Sequence, residues 1–379
     1  MSGGRPSICF IVESGTDTRL VEGLARRAQL TVLARAIPGG HAVSQPTDVD
    51  VIVGAAGRVG FAARVFLELW RRKCGAVLVQ GYGLAALAAN LVARAKGLPC
   101  LMLVCSPVAE YYQARRAAGD RYSPLTLLGI NLLGRLNARF GQGYIVLSKH
   151  LQDVVRRYSS HLPVHVVPVY GVDLQRFLPG RADDRSRRER ALPPTGQIVF
   201  SSSRIAPEKD VSTLLEAFAM LVREGRDVYL LNRSGGFHEF LERAERAGVR
   251  ERVIATEAVD PRADLREDYL VADVCVQASR AEGLGFSVLE AFACGTPVVA
   301  SAVGGLRETV LDGITGWSVP PGDPARLAAA LRDALDHPEE GRRRSAAGSQ
   351  MVRDRFESGA AFDRLVAILG AHQPGAAAR

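Results

Sequence analysis

Along this chain of 379 residues, short apolar runs alternate with longer stretches in which apolar residues return every three or four positions. The first pattern fits buried strands, and the second fits helices with one covered face. Strands are predicted at 7–12, 30–34, 49–53, 76–80, 99–105, 143–147 and 164–168. Helices fall between them, one ending near Arg27, then 61–73, Gly83 to about Lys96, 124–140, and Ser148 through Tyr158. Strand–helix–strand succession of this kind predicts a doubly wound parallel sheet. A polar stretch at 180–197, with Pro193 and Pro194, reads as a linker. The pattern then restarts with strand 197–203 and an amphipathic helix carrying Leu214, Leu215, Ala217, Phe218 and Leu221. Strand 228–232, helix 237–247, strand 252–256, helix 324–335 and a last helix at about 355–370 follow, and the tail 372–379 is expected to fray. The length suits two domains of ordinary size.

Composition supports a globular protein, with 47% hydrophobic and 23% charged residues. No apolar run reaches the roughly 20 residues that cross a bilayer. The N-terminus passes directly into a strand without the apolar segment of a signal peptide, so a cytoplasmic protein is expected. The six cysteines form no C-x-x-C pair, and neither disulfides nor a zinc site is predicted. The net charge of +8 is uneven: residues 1–172 carry 20 Lys+Arg against 9 Asp+Glu, the remainder 28 against 31. A basic first half fits an anionic surface such as phospholipid. However, 44 of the 48 cations are Arg in an Ala- and Gly-rich chain, and GC-rich coding is the preferred explanation. No basic-aromatic array is present, so nucleic acid is not an expected partner. Helix 61–73 sets Phe66, Leu69 and Trp70 beside Arg64, Arg71, Arg72 and Lys73. It can lie on a membrane, but packing on a sheet with cations at the helix C-terminus gives the same pattern and is preferred. Residues 124–140 read as a buried helix, with a membrane-dipping segment as the alternative.

The densest chemistry lies at 279–317, SRAEGLGFSVLEAFACGTPVVASAVGGLRETVLDGITGW. Gly283 and Gly285 allow close approach of backbone to a ligand. A helix over 286–294 stops at Gly295, with Pro297 just beyond, and 298–300 form a short strand. Glu290 lies among Val288, Leu289, Ala291, Phe292 and Ala293, where a carboxylate is costly unless hydrogen-bonded. Glu282 stands at the start of the same helix, whose unpaired amides suit phosphate. Two carboxylates flanking such amides match a ligand with hydroxyls at both ends and phosphate between, which is the layout of a nucleotide sugar.

The run E-G-L-G-F-S-V-L-E-A-F-A-C-G-T-P-V-V-A-S resembles the signature of the retaining glycosyltransferases of family 4. The resemblance implies the GT-B fold, an α/β architecture of two Rossmann-like doubly wound domains facing each other across a cleft. Residues 1–175 would bind the acceptor, 176–354 the nucleotide-sugar donor, and 355–379 would cross back to the first domain. It further implies that Glu282 contacts donor-sugar hydroxyls and Glu290 the ribose. Gly283, Leu284, Gly285, Phe286 and Ser287 would meet sugar and phosphate. Arg204 and Lys209, in the loop R-I-A-P-E-K-D leaving a strand, match the family's Arg and Lys on the donor diphosphate. Gly15 stands where relatives usually carry a Gly-Gly pair facing that phosphate. The run 168–179 resembles the crossing between domains, Arg233-Ser234-Gly235-Gly236 replaces a G-x-G-P loop, and 256–259 takes the position of base contact.

Ligands of α/β sheets bind beyond the carboxyl ends of the strands. That selects Ser106, Glu110, Tyr111 and Arg115 on the acceptor side, and Glu13 joins Glu110 as a carboxylate able to hold an amine. Many family members carry a His near this point; this chain has none there. The expected activity is transfer of a sugar, with retention, from a nucleotide diphosphate donor to an acceptor hydroxyl, UDP being expected on family grounds. Arg204, Lys209 and Glu282 are the expected catalytic residues. No metal or other cofactor is expected, because the two cations meet the leaving diphosphate, no D-x-D sits at the end of a strand and no His cluster is present. A small polyol or aminocyclitol of natural-product biosynthesis is the preferred acceptor. A membrane glycolipid, reached by peripheral contact with the inner face of the membrane, is the alternative. A nucleotide-sugar epimerase and an exported sugar-binding protein are the rivals, and the oligomeric state is left open.

Overall fold

The computed structural model describes residues 5–371 except 17, 38–42, 44–48, 121–122, 181 and 257–264. The tail 372–379 and most of the expected base-contact segment, 257–259, lie outside the described residues. The chain forms two compact units. Unit 1 comprises Met1–Ala109, Tyr122–Gly171 and Ser358–Arg379, and unit 2 comprises Glu110–Arg121 and Val172–Glu357.

Unit 1 is built on strands β1 (Ser7–Val12), β2 (Gln29–Arg35), β3 (Asp50–Gly54), β4 (Ala76–Gln80), β5 (Cys100–Val104), β6 (Tyr144–Val146) and β7 (Val164–Val166). They lie in the order β3-β2-β1-β4-β5-β6-β7, every pairing parallel. A parallel sheet is covered on both faces, which is why its central strands read as unbroken apolar runs. Ile8 to Val12, Val77 to Val79 and Leu101 to Val104 are all buried. The last helix, Ser358–Ala371, packs on the first, Thr18–Ala25. Gly23 makes room there for the Phe362 ring, which a Cβ would meet at 2.2 Å. Arg27 secures the same contact through Asp363 and the Gly359 carbonyl.

Unit 2 repeats the plan with β8 (Gln197–Ser201), β9 (Val228–Arg233), β10 (Val253–Thr256), β11 (Val274–Gln277), β12 (Val298–Ser301) and β13 (Trp317–Val319). The order is β10-β9-β8-β11-β12-β13, again all parallel. The chain winds outward to β10 and then returns to the other side of β8. The β8/β11 junction is therefore the topological switch point, where a doubly wound sheet leaves a crevice at its carboxyl edge.

Sequence expectation and structure differ at several places, and helix 124–140, expected to be buried, exposes Leu125, Leu128 and Leu132. The stretch 180–197 is not a bare linker: Asp183 accepts from the Ser186 amide (2.8 Å) and caps a helix, Asp184–Glu189. Arg187 then ties the following turn to the Pro193 and Gly196 carbonyls. The segment after β5 is a helix, Val108–Ala117, and Glu110–Arg121 is counted with unit 2. A long helix, Pro338–Arg355, precedes the last one and was not anticipated. Its mean hydropathy is low, but Gly348 lets it lie against the Phe292 ring, which a Cβ would meet at 2.5 Å.

Among the described residues no helix is long and apolar enough to cross a membrane. All six cysteines are free thiols, and burial pushes the pKa values of Cys100, Cys275 and Cys294 up.

Within unit 2 the buried Asp268 holds two guanidinium groups at once, Arg190 after the capped helix and Arg233 at the end of β9. Asp268→Ala would leave two buried cations facing one another, and loss of one partner of a buried pair costs about 3–5 kcal/mol. Urea unfolding should show a loss on that scale; a loss under about 1 kcal/mol would mean that both guanidinium groups escape to water.

Candidate active site

Two loops meet at the β8/β11 switch point. The loop after β8 runs through Arg204 into a tight turn, Pro207–Lys209, and then Asp210, which adopts a left-handed conformation (φ 49°) unusual for a residue with a Cβ. Two contacts hold Asp210 there: Thr213 Oγ1 donates to its carboxylate at 2.7 Å, and Arg280 pairs with it at 2.8 Å. The loop after β11 carries Arg280 and Glu282 and ends in the helix Phe286–Cys294. The Arg280 amide donates to the Glu208 carbonyl at 2.9 Å, and Lys209 Nζ forms an ion pair with the Glu282 carboxylate. The Ala281 amide donates to the same Glu208 carbonyl at 3.4 Å, so the two loops are joined by two backbone bonds and two ion pairs.

A third turn supports them from below. The Gly305 amide donates to the Glu282 carbonyl at 3.1 Å. A Cβ on Gly304 (φ 46°) would sit 2.0 Å from that carbonyl, so no other residue fits. Gly285 (φ 89°) opens the helix, and a Cβ there would strike Leu306 at 2.4 Å. At the N-terminus of this helix the dipole favours negative charge.

Arg204 is half exposed and donates to Glu208 at 2.6 Å; the Glu208 side chain is fully buried and also lies 3.4 Å from Arg115. Lys209 and Glu282 are both largely withdrawn from solvent, at 17% and 11% exposure. Gln277, at the end of β11, organises the floor: its amide nitrogen donates to Ser279 (2.7 Å), and its oxygen accepts from Ser287 (3.0 Å) and Ser203 (3.3 Å). Glu290, one turn into the helix, accepts from the Tyr269 hydroxyl at 3.0 Å. Burial, and secondly the Glu290 charge, hold the Tyr269 pKa well above its ordinary value, so the hydroxyl stays a donor. The Tyr269 ring is fixed edge-on against Phe200 and Phe177.

The structure therefore gathers Arg204, Lys209, Glu282, Gly283, Leu284, Gly285, Phe286, Ser287 and Glu290 around one switch point in unit 2. Ser287 enters differently from expectation, because its hydroxyl is engaged by Gln277. Arg233, in the loop that replaces G-x-G-P, turns inward to Asp268. The remaining candidates lie elsewhere. Glu13, Gly15 and Ser106 belong to unit 1, and Glu110 and Tyr111 are counted with unit 2. Glu13 follows β1 and places its carboxylate over Gly83, at the N-terminus of the helix Leu84–Lys96; a Cβ on Gly83 would meet it at 2.2 Å. Gly15 has open space around it and no positive φ, so nothing in its geometry demands glycine.

Sequence reasoning missed Glu208, Asp210, Gln277 and Tyr269 as site residues. Glu208 and Asp210 flank Lys209, and a charged residue on each side of an assigned cation was the available signal. Gln277 and Tyr269 sit in apolar runs and offer none.

Two cations, a helix N-terminus and two carboxylates at the carboxyl edge of a doubly wound sheet are the layout of an α/β protein whose site suits a phosphorylated polyhydroxyl compound. The comparisons carry this to a family. Residues 182–351 match the family described as glycosyl transferases group 1. The D-inositol 3-phosphate glycosyltransferase of Frankia alni is 34% identical over 291 residues, covering 72% of this chain and 68% of its own. The chain belongs to that family. The GDP-mannose-dependent alpha-(1-6)-phosphatidylinositol monomannoside mannosyltransferase of Mycolicibacterium smegmatis is 36% identical over 215 residues, covering 57% of this chain and 55% of its own. The chain spans between about half and two thirds of the length of the curated relatives it matches. The sucrose-phosphate synthase of Thermosynechococcus elongatus shares the GT-B fold, with a TM-score of 0.81 over 96% of this chain and 98% of that one at 22% identity.

Glu208→Gln should release Arg204 and Arg115 while keeping the side-chain volume. Both guanidinium groups reach solvent, so the expected loss is about 1–3 kcal/mol, read from urea unfolding. An unchanged midpoint would show that this carboxylate holds neither.

Proposed function

We propose that the chain transfers a sugar, with retention at the anomeric carbon, from a nucleotide diphosphate donor to a hydroxyl of a small polyol. The observation that carries this reading is the joining of Lys209 and Glu282 beside the glycine-opened helix N-terminus. A diphosphate leaving the anomeric carbon gathers negative charge, and Arg204, Lys209 and the first-turn amides stand where such charge would be stabilised without reorganisation. Glu282 would take hydroxyls of the donor sugar, and Glu290, oriented by Tyr269, the ribose. The two cations carry the charge that a divalent metal would otherwise supply, so turnover should persist in chelator.

The polyol reading is supported by the relative named for D-inositol 3-phosphate. UDP is the proposed nucleotide. GDP is the second reading, favoured by the relative named as GDP-mannose-dependent. Incubation with UDP- and GDP-sugars, each with and without inositol phosphates and aminocyclitols, tests the whole reading. Product only when acceptor is present supports it, whereas isomerised donor without acceptor would make the protein an epimerase.

Two variants test the roles. Lys209→Ala should lower kcat by at least about a hundredfold, the scale on which one preorganised stabiliser of developing charge acts; near-normal turnover would remove Lys209 from the chemistry. Glu290→Ala and Tyr269→Phe should chiefly weaken nucleotide binding, the second by about tenfold, as loss of one hydrogen bond to a charged group predicts. Calorimetry showing unchanged nucleotide affinity in both would end the ribose assignment.

A further inference from the structure

Unit 1 leaves one surface that neither its core nor the proposed chemistry uses. The helices Arg58–Arg71, Leu84–Lys96 and Pro124–Phe140 lie side by side, each packed on the next. They connect successive strands in one direction along the sheet, from β3 to β6, so right-handed crossovers place them on the same face. Phe66, Leu67 and Trp70 on the first helix and Leu125, Leu128 and Leu132 on the third are between 41% and 72% exposed. Phe66 and Trp70 stack in the open, ring planes 6° apart. On the third helix the exposed stripe continues from the leucines into Arg135 and Arg139, the spacing of a single helix face.

The charge on this layer has one sign. The three helices carry seven Lys and Arg residues against a single acid, Glu68. Glu68 is buried and spent on Arg64 and Arg72. An apolar surface with aromatic side chains and a cationic border fits the interface of a bilayer that bears anionic lipid. A second copy of the chain would bring like charges together.

We propose that this three-helix face docks unit 1 on the surface of an anionic lipid bilayer, without spanning it. The inference stands whichever acceptor the enzyme uses. Trp70 is a built-in reporter, since the other tryptophan, Trp317, is buried. Co-sedimentation with phosphatidylcholine vesicles, alone or mixed with phosphatidylglycerol, should show partitioning at least about tenfold stronger on the mixed vesicles, reduced by ~0.5 M salt. Tryptophan emission should shift to the blue on binding. Changing Leu125, Leu128 and Leu132 together to Ser, at exposed positions that leave the fold intact by circular dichroism, should lower the partition coefficient at least about tenfold. The Arg135→Gln/Arg139→Gln variant should lose part of the preference for phosphatidylglycerol. Turnover of a water-soluble acceptor should be unchanged in both variants, which separates failure of this surface from failure of the proposed chemistry. The proposal is overturned if the wild type stays in the supernatant with both vesicles, or if the serine variant sediments like the wild type. It is equally overturned if the face proves to mediate a dimer that the serine variant dissolves.

Discussion

Unit 2 is organised by the need to keep two opposite charges, Lys209 and Glu282, paired in a place that water scarcely reaches. Withdrawing either charge alone would be prohibitive, so each requires the other, and the chain must fold so that two residues 73 positions apart meet. The strained Asp210, its Arg280 partner and the Glu208 carbonyl bond all serve that meeting. Strain in a loop persists only where surrounding contacts over-determine it, and here Thr213 and Arg280 both hold the Asp210 carboxylate. The pair also bears on the proposed chemistry. A cation already stripped of water and aimed by a carboxylate needs little rearrangement when an anion arrives.

The sheet makes this geometry possible. Because β8 and β11 are neighbours and parallel, their following loops emerge at the same edge although they are far apart in sequence. The apolar strands bury their side chains on both faces, so the edge is rigid, and the site residues hang from it on loops of a few residues. Glycine supplies what side chains forbid: Gly304 and Gly305 bring backbone against the backbone of Glu282 and Gly283 closely enough that no Cβ fits. Polar residues behind the site, Gln277 and Tyr269, hold the acidic groups in one orientation, which a loop alone would not do.

Unit 1 shows what the same architecture does without a concentrated site. Its switch point between β1 and β4 places Glu13 against Gly83 at a helix N-terminus, a modest charge–dipole contact. Its distinguishing character is on the outside, where one helix layer is both apolar and basic. The cationic excess of the first half of the chain, explicable by coding bias in one dimension, becomes a surface property once three helices share a face.

Much of this protein could be read from its residues alone, for a definite reason. Alternation of apolar strands with amphipathic helices is a local property, and it determined two doubly wound units. Gly285 and Glu290 were visible because each breaks a local rule, a glycine before a helix and a carboxylate in an apolar helix, and Glu282 by its place at the start of that helix; Arg204 and Lys209 were reached through the family resemblance. Tertiary structure alone decided what holds them. Glu208 is an ordinary loop residue until burial leaves it holding Arg204 and Arg115, and Tyr269 is an ordinary core residue until β8 packs beneath it. The stretch 180–197 looked like a tether because its counter-ion, Asp268, lies almost eighty residues away. A partner at that distance leaves no trace in local pattern, since hydrogen bonds and ion pairs between remote segments depend on which loops the sheet brings to one edge.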